Sequence, residues 1–217
     1  MALFESPAHD QQVLLLDDEV VALAARAGTP WPSNTPTIDP TEEGGVRTAA
    51  LRGVTSLVMR SLVDRSTDGT LVEPLRSLSA VILTGRPVFG TFTALDDGRL
   101  VPFFGSTAVY EADGSWVTEA ITPTGVHYLL PTDREQCVAQ ASDLIERAVA
   151  SAEDVDELAF LCFVSAPPVD TDAEQLVRMA RVRPGTLQTG TLREGSGFVP
   201  TEVEPSDAQS ALEYVIG

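Results

Sequence analysis

The spacing of apolar residues along this chain changes near Pro87, and the change constrains the fold more than any single motif does. Before it, the stretch "VLLLDDEVVALAARAG" repeats apolar residues every three or four positions, which predicts an amphipathic helix. After it, "VFGTFTALDDGRLVPFF" and "STAVYEADGSWVTEAI" alternate apolar and polar residues around Asp-Gly turns, which predicts antiparallel hairpins. Helices followed by a meander of strands indicate the α+β class.

The first helix has recognisable ends in the sequence. Asp17 is the expected N-cap and Gly28 the expected stop, while residues 1–12 ahead of it are interpreted as a flexible leader. The next stretch, "TPWPSNTPTIDPTEEGG", has four prolines and two glycines, so we expect a long surface loop there.

A helix, a tight hairpin and a second helix follow in the order of a winged helix. We expect the first of these helices to bury one stripe of side chains at helical spacing, with Leu57 alongside it: Leu51, Val54, Val58 and Leu62. The turn falls at Asp68 and Gly69, and a helix restarts behind Pro74 with its own apolar face: Leu75, Leu78 and Ile82. We therefore interpret residues 13–85 as winged-helix-like.

The rest of the chain is predicted to be an antiparallel β-sheet with packing helices. Residues 86–152 contain the hairpins, a fifth strand "GVHYLL" and a helix from about 133 to 150. Beyond them, "ELAFLCFVSA" fits a strand or a buried helix, "DTDAEQLVRMARV" fits a helix, and "GTLQTGTLREGSGFVPTEV" fits a hairpin. The last stretch, "PSDAQSALEYVIG", predicts a closing helix capped by Ser206.

These elements are consistent with a single α+β domain over residues 13–217, with an abbreviated second half at 153–217. A weak echo links "GSWVTEAITPTG" and the helix after it with "GSGFVPTEVEPSDAQSALEYVI", because both read as hairpin, strand and capped helix. Two pseudo-repeated halves therefore stay open as an alternative.

The charge balance favours protein partners. The formal net charge is −18, and all 14 basic side chains are arginine. An acidic surface is repelled by phosphates and by anionic lipid, so we expect a protein partner rather than nucleic acid or a membrane. No segment has the pattern of a membrane span or an export signal, so we place the protein in the cytoplasm. Arginine without lysine indicates an actinobacterial, high-GC source, with halophilic adaptation as the alternative.

Residues that usually carry catalysis are sparse. The two histidines are His9, in the leader, and His127, which we expect to be a partly buried strand histidine with a hydrogen-bond partner. Cys137 and Cys162 are interpreted as buried apolar residues, and no His or Cys pair has metal-site spacing. The sequence has neither a phosphate-binding loop nor a nucleophile elbow. We therefore predict that the protein is not an enzyme and has no catalytic, cofactor or metal site.

The winged-helix order raises the hypothesis of DNA binding. Residues 44–76 hold five arginines against three carboxylates, and Arg52 and Arg60 are the arginines expected to contact a duplex. The remaining negative charges of the chain oppose that approach over a Debye length of roughly 8 Å. The hairpin also carries Asp64 and Asp68 where phosphate contacts would be expected. A winged helix used for packing or for protein contact is therefore the preferred interpretation.

The order of elements resembles the EspG family, cytosolic chaperones of actinobacterial type VII (ESX) secretion. The resemblance is carried by "LLDDEVVALAARAG", by "RTAALRGVTSLVMRSLVDRSTDGTLVEPLRSL", by "RPVFGTFTALDDGRLVPFFGSTAVYEADGSWVTEAI" and by the capped helix after "LLPTD". It covers most of residues 14–150 as architecture. The resemblance implies a non-enzymatic chaperone or adaptor that covers a hydrophobic helical tip of a secretion substrate until export.

Aromatic residues of the predicted hairpins are the candidates for partner binding: Phe103, Phe104, Tyr110 and Trp116. A place in the core is the competing interpretation for each of them, because aromatic residues on strands are commonly buried. Two other functions stay open. One is an acidic immunity protein or antagonist that neutralises a basic toxin, and the other is a winged-helix regulator that binds DNA.

Overall fold

The computed structural model describes the following residues: 11–64, 66, 69–94, 100–102, 107–150, 160–164, 177–183, 185–193, 197–202 and 205–217. The leader predicted at residues 1–12 lies almost wholly outside them. Contacts divide the chain into two compact units, one within residues 1–85 and 111–132 and the other within 86–110 and 133–217. The single domain over residues 13–217 stays a prediction.

The described strands and helices are labelled in chain order, and each label is used below. In chain order they are β1 (Val13–Leu16), α1 (Asp17–Ala27), α2 (Glu43–Met59), β2 (Val63–Asp64), β3 (Thr70–Leu71), α3 (Leu75–Thr84), β4 (Arg86–Ala94), β5 (Leu100–Pro102), β6 (Thr107–Ala112), β7 (Ser115–Ile121), β8 (Val126–Thr132), α4 (Arg134–Ala150), β9 (Phe160–Val164), β10 (Val177–Arg183), β11 (Thr186–Arg193), β12 (Gly197–Pro200) and α5 (Ala208–Ile216).

In the first unit, β8 pairs with β1 on one side and with β7 on the other, both antiparallel. The register places His127 of β8 between Leu15 of β1 and Ile121 of β7. All three side chains are buried. Helix α3 contacts β7 and β8 and buries its predicted apolar face, which confirms that prediction: Leu75, Leu78 and Ile82.

Helices α1 and α2 pack closely because Gly53 has no side chain. A Cβ atom at Gly53 would lie 1.9 Å from the carbonyl oxygen of Asp18. The face that α2 buries is centred on this glycine: Ala49, Gly53 and Leu57. The predicted burial is wrong for Leu51, which is 66% exposed, and for Val54, which is 53% exposed. Val58 and Leu62 are half-buried, and Leu57, expected beside the stripe, is buried. The close approach of the α1 and α2 backbones at Gly53 thus takes the place of burying Leu51 and Val54.

The first helix begins later than its apolar pattern indicates. Val13–Leu16 forms β1, in which Val13 and Leu15 are buried while Leu14 and Leu16 are exposed. Leu16 is the N-cap instead of the predicted Asp17, and Asp17 is the first residue of α1. The predicted stop at Gly28 is confirmed, because this residue has φ of 70°, a left-handed conformation that favours glycine.

The second unit contains an antiparallel sheet in the order β5, β4, β9, β10, β11 and β12. Helices α4 and α5 contact each other and β10, and α5 buries one apolar face in this unit: Ala208, Ala211, Leu212 and Val215. Strand β6 lies where the chain passes from the second unit to the first. Helices and antiparallel strands in both units confirm the α+β class.

Two sequence predictions in the second unit are wrong. Residues 177–182 were predicted to be helical, yet they lie in β10, between β9 and β11. Met179 and Ala180 are both buried, so this central strand has apolar residues on both faces and lacks the alternation that marks a half-exposed strand. The closing helix is capped by Asp207 rather than Ser206, because Asp207 Oδ1 accepts a 2.7 Å hydrogen bond from Ser210 N–H.

Other predictions for these regions are confirmed. Phe160–Val164 is a strand, which decides between the two alternatives for that stretch, and β11 pairs with β12 as the predicted hairpin. The order of helix, two-stranded hairpin and helix is present from α2 through α3. The winged-helix assignment of residues 13–85 and the two pseudo-repeated halves stay predictions. Among the described residues, none of the helices combines the length and apolar character needed to cross a membrane.

Candidate functional site

A buried charged cluster in the first unit joins α1 to β7 and β8. His127 Nδ1 lies 2.6 Å from Glu119 Oε1, and His127 Nε2 lies 2.7 Å from Asp17 Oδ1. All three side chains are almost completely buried. The sequence predicted a partly buried strand histidine with a hydrogen-bond partner at 127. The structure confirms the strand and the hydrogen bonding, but the ring is fully buried and has two carboxylate partners.

The environment of His127 favours its protonated form. Burial alone would lower the pKa of the imidazole, but hydrogen bonds and charge attraction from Asp17 and Glu119 outweigh burial and raise that pKa to about 9. For Asp17, burial acts to raise the pKa, whereas hydrogen bonds from His127 and Thr37 act more strongly, so that the pKa is lowered. The cluster thus holds an imidazolium between two carboxylates at neutral pH.

The same carboxylates anchor the loop between α1 and α2, residues 29–42. Trp31 Nε1–H donates a 2.8 Å hydrogen bond to Glu119 Oε1, and the hydroxyl of Ser33 donates to Glu119 Oε2. Thr37 donates to Asp17 Oδ2 through its backbone N–H at 2.6 Å and its hydroxyl at 2.5 Å. The loop was predicted to lie on the surface, but Trp31 is only 8% exposed because its indole is held against the sheet.

Between this loop, α1 and the start of α2 lies a pocket of about 600 Å³. That volume falls within the usual range for ligand sites. Its apolar wall includes Val21 and Ala25 of α1, Trp31 and Ile38 of the loop, and Val46 of α2, and every residue that lines it is uncharged. In a chain with 21% charged residues, an uncharged pocket of this size favours an apolar guest.

Arg52 of α2 and Arg60, which directly follows α2, are engaged with acidic residues of α1. Arg60 Nη1 lies 2.6 Å from buried Glu19, and Arg52 forms two hydrogen bonds of 2.7 and 2.8 Å with Asp18. Arg60 also donates to the carbonyl oxygen of Leu14. These arginines were the residues expected to contact a duplex, and their engagement with carboxylates weighs against that hypothesis.

Glu19, the ion-pair partner of Arg60, also hydrogen-bonds to the backbone of β1, the end strand of the described sheet. Glu19 accepts a 2.9 Å hydrogen bond from Leu16 N–H, and Arg60 occupies the Leu14 carbonyl oxygen on the same edge. Exposed strand edges readily pair with other chains. The side chains of Glu19 and Arg60 thus hydrogen-bond to backbone groups of Leu16 and Leu14 that could otherwise pair with another strand.

Two of the four predicted partner-binding aromatics are among the described residues. Tyr110 is 2% exposed, so its side chain is in the core, and Trp116 is half-buried. Phe103 and Phe104 lie outside the described residues. A role of these four residues in partner binding stays a prediction.

Sequence reasoning missed Glu119 and Asp17, although a signal existed for the first. Glu119 shares its strand face with Val117 and Ile121, so its position in the apolar phase indicates a buried carboxylate. Asp17 gave no comparable signal, because it is distant in sequence from His127. Among the described residues, no group of three or more His, Cys, Asp or Glu side chains has the arrangement of a metal site.

No protein-family model and no curated protein matches the chain. Among solved structures, the chain is similar to the Mycobacterium tuberculosis type VII secretion system chaperone EspG5, solved in complex with the PE25-PPE41 dimer. The TM-score is 0.54 at 10% sequence identity, over 94% of this chain and 95% of that chain. At this identity the likeness concerns the fold alone, and it supports the EspG-like fold implied by the sequence.

Proposed function

We propose that this protein is a non-enzymatic, cytoplasmic chaperone or adaptor that holds a type VII secretion substrate. The observation that carries the proposal is the fold likeness to EspG5 over nearly the whole of both chains, since EspG5 was solved holding a PE25-PPE41 dimer. The large acidic net charge and the uncharged pocket of the first unit support a protein partner with apolar surface.

A function in binding rather than in chemistry is consistent with the buried cluster. Both ring nitrogens of His127 are hydrogen-bonded to carboxylates, and those carboxylates also accept hydrogen bonds from the 29–42 loop. A closed network of this kind positions a loop and does not present a reactive group to a substrate.

Co-expression with candidate substrates tests the proposal. The protein is produced together with each PE and PPE pair of the organism of origin, and the soluble fraction of each pair is measured with and without it. We expect at least one pair to remain soluble only in its presence and to elute with it as a complex of defined mass. If every pair has the same solubility in both cases and elutes alone, the proposed function is wrong.

The acidic antagonist is the second candidate, and the net charge of −18 is the observation that favours it. A complex held mainly by opposite charges would lose affinity steeply as salt increases. A complex held by apolar burial would lose little. The salt dependence of binding to any captured partner therefore separates the two functions.

A further inference from the structure

An apolar ridge on α2 leads out of the uncharged pocket. Val46 lines the pocket, and apolar residues follow it at intervals of four: Ala50, Val54 and Val58. Residues spaced by four lie side by side along one helix surface, so these side chains form a continuous row. Leu51 borders this row and, like Val54, is more than half exposed. We call the pocket and this row the α2 groove.

The segment between two residues that line the pocket carries exposed carboxylates, and we call this segment the entrance of the α2 groove. Asp39, Glu42 and Glu43 are exposed and lie in sequence between the pocket residues Ile38 and Val46. Asp39 accepts hydrogen bonds from Thr41, which lower the pKa of its carboxyl group. Arg47, directly after Val46, is exposed, so three carboxylates stand against one arginine in this segment. The positive charges of Arg52 and Arg60 are paired with Asp18 and Glu19. A partner that approaches this entrance therefore gains from basic residues.

We propose that the α2 groove binds an amphipathic helix of the protein partner, with one apolar side chain inserted into the pocket. A row of side chains at intervals of four fits between the rows of a second helix. Lysine or arginine residues on that helix face Asp39, Glu42 and Glu43. A second copy of this chain is a poorer occupant, because it carries the same acidic entrance and a net charge of −18. The inference rests on the proposed function and names the chemistry of the partner segment.

A designed peptide tests the α2 groove without knowledge of the natural partner. The probe is a fluorescein-labelled helical peptide of about 18 residues, with leucine and phenylalanine on one face and lysine on the other. A scrambled peptide of the same composition has the same charge but no apolar face. We expect the amphipathic peptide to bind at least about tenfold more tightly than the scrambled one at physiological salt. Equal affinities would overturn the proposal.

Matched variants locate the binding. Ala25→Arg places a long side chain in the pocket, while Ala27→Arg adds the same charge at an exposed position of α1 that does not line it. Val54→Asp interrupts the ridge, while Val199→Asp changes an exposed valine of the second unit. We expect Ala25→Arg and Val54→Asp to weaken peptide binding about tenfold and each control to leave it within about twofold. Equal effects of test and control variants would contradict the proposal.

Trp31 provides a second readout, because it lines the pocket and is one of two tryptophans in the chain. In a Trp116→Phe background, the amphipathic peptide is expected to shift the emission of Trp31, and Ala25→Arg is expected to abolish the shift. A wild-type dimer that Val54→Asp converts to a monomer would assign the surface to a second copy and overturn the inference. The peptide experiment uses no secretion substrate. Failure of the peptide to bind would overturn the α2 groove, whereas failure of co-expression would overturn the proposed function, so the two failures are distinguishable.

Discussion

Glu119 and His127 are diagonal neighbours on paired strands, with Glu119 Oε1 and His127 Nδ1 2.6 Å apart inside the first unit. The strand register creates this contact, because His127 is opposite Ile121 and Glu119 lies two residues before Ile121 on the same face. The carboxylate then reaches Trp31 of the 29–42 loop. A strand pair thus fixes the position of a loop that forms one wall of the pocket.

The stability of the protein is expected to fall as pH rises from about 6.5 to about 9. His127 has a pKa of about 9 in the folded protein, against 6.5 for an unperturbed histidine. The folded state holds the proton across this interval while the unfolded chain releases it, so the stabilisation is complete below pH 6.5 and is lost above pH 9. The loss in the free energy of unfolding is on the order of 3 kcal/mol. Denaturant titrations across this interval measure it.

The variant His127→Gln provides the control for this pH dependence, since glutamine does not titrate. We expect its free energy of unfolding to be lower at neutral pH and nearly constant over the same interval. If the variant does not fold, the proton resonances of the His127 ring in the wild type give the same information. A ring already neutral at pH 7 would contradict the prediction.

Trp31→Phe is expected to destabilise the protein by about 1–3 kcal/mol, because Glu119 loses a buried hydrogen-bond donor. Trp116→Phe is the matched control, because it is the same substitution at a tryptophan that is only half-buried. The expected cost of the control is about 1 kcal/mol or less. Chemical denaturation followed by circular dichroism compares the two, and equal costs would show that the Glu119 contact contributes nothing.

Gly53→Ala is expected to destabilise the protein by about 1–3 kcal/mol, although alanine favours helix more than glycine does. The reason is the 1.9 Å approach of the new Cβ atom to the Asp18 carbonyl oxygen, which would force α1 and α2 apart. Gly44→Ala on the same helix meets no atom within 4 Å and should be neutral or stabilising by up to about 1 kcal/mol. Thermal unfolding separates the pair, and a shift of the same sign in both would refute the packing argument.

Arg60→Ala is expected to cost about 2–3 kcal/mol, because it leaves the buried Glu19 carboxylate without its ion-pair partner. Arg52→Ala breaks a more exposed pair with Asp18 on the same two helices, and its cost should be about 1 kcal/mol or less. Equilibrium unfolding in urea measures both. A greater cost for Arg52→Ala would mean that burial of the acidic partner does not decide the strength of these pairs.

Local patterns predicted much of the fold. The apolar face of α3, the stop at Gly28 and the hairpins after Pro87 are each specified by residues within one or two turns or strands. The apolar face of α2 could not be predicted in the same way. Leu51 and Val54 are exposed because α1 approaches the face of α2 that contains Gly53, and periodicity does not reveal which face a neighbouring helix can approach.

The sequence by itself determined the α+β class, most of the order of elements from α1 to α4, the acidic charge and a hydrogen-bonded strand histidine at 127. The alternation along β7 also places Glu119 on the same strand face as Val117 and Ile121, which indicates a buried carboxylate. Only the tertiary structure decided that Asp17 completes the cluster, that Trp31 is docked against it, and that an uncharged pocket forms beside them. These contacts join residues far apart in the chain, and their geometry depends on how closely helices and strands approach, which no local pattern encodes.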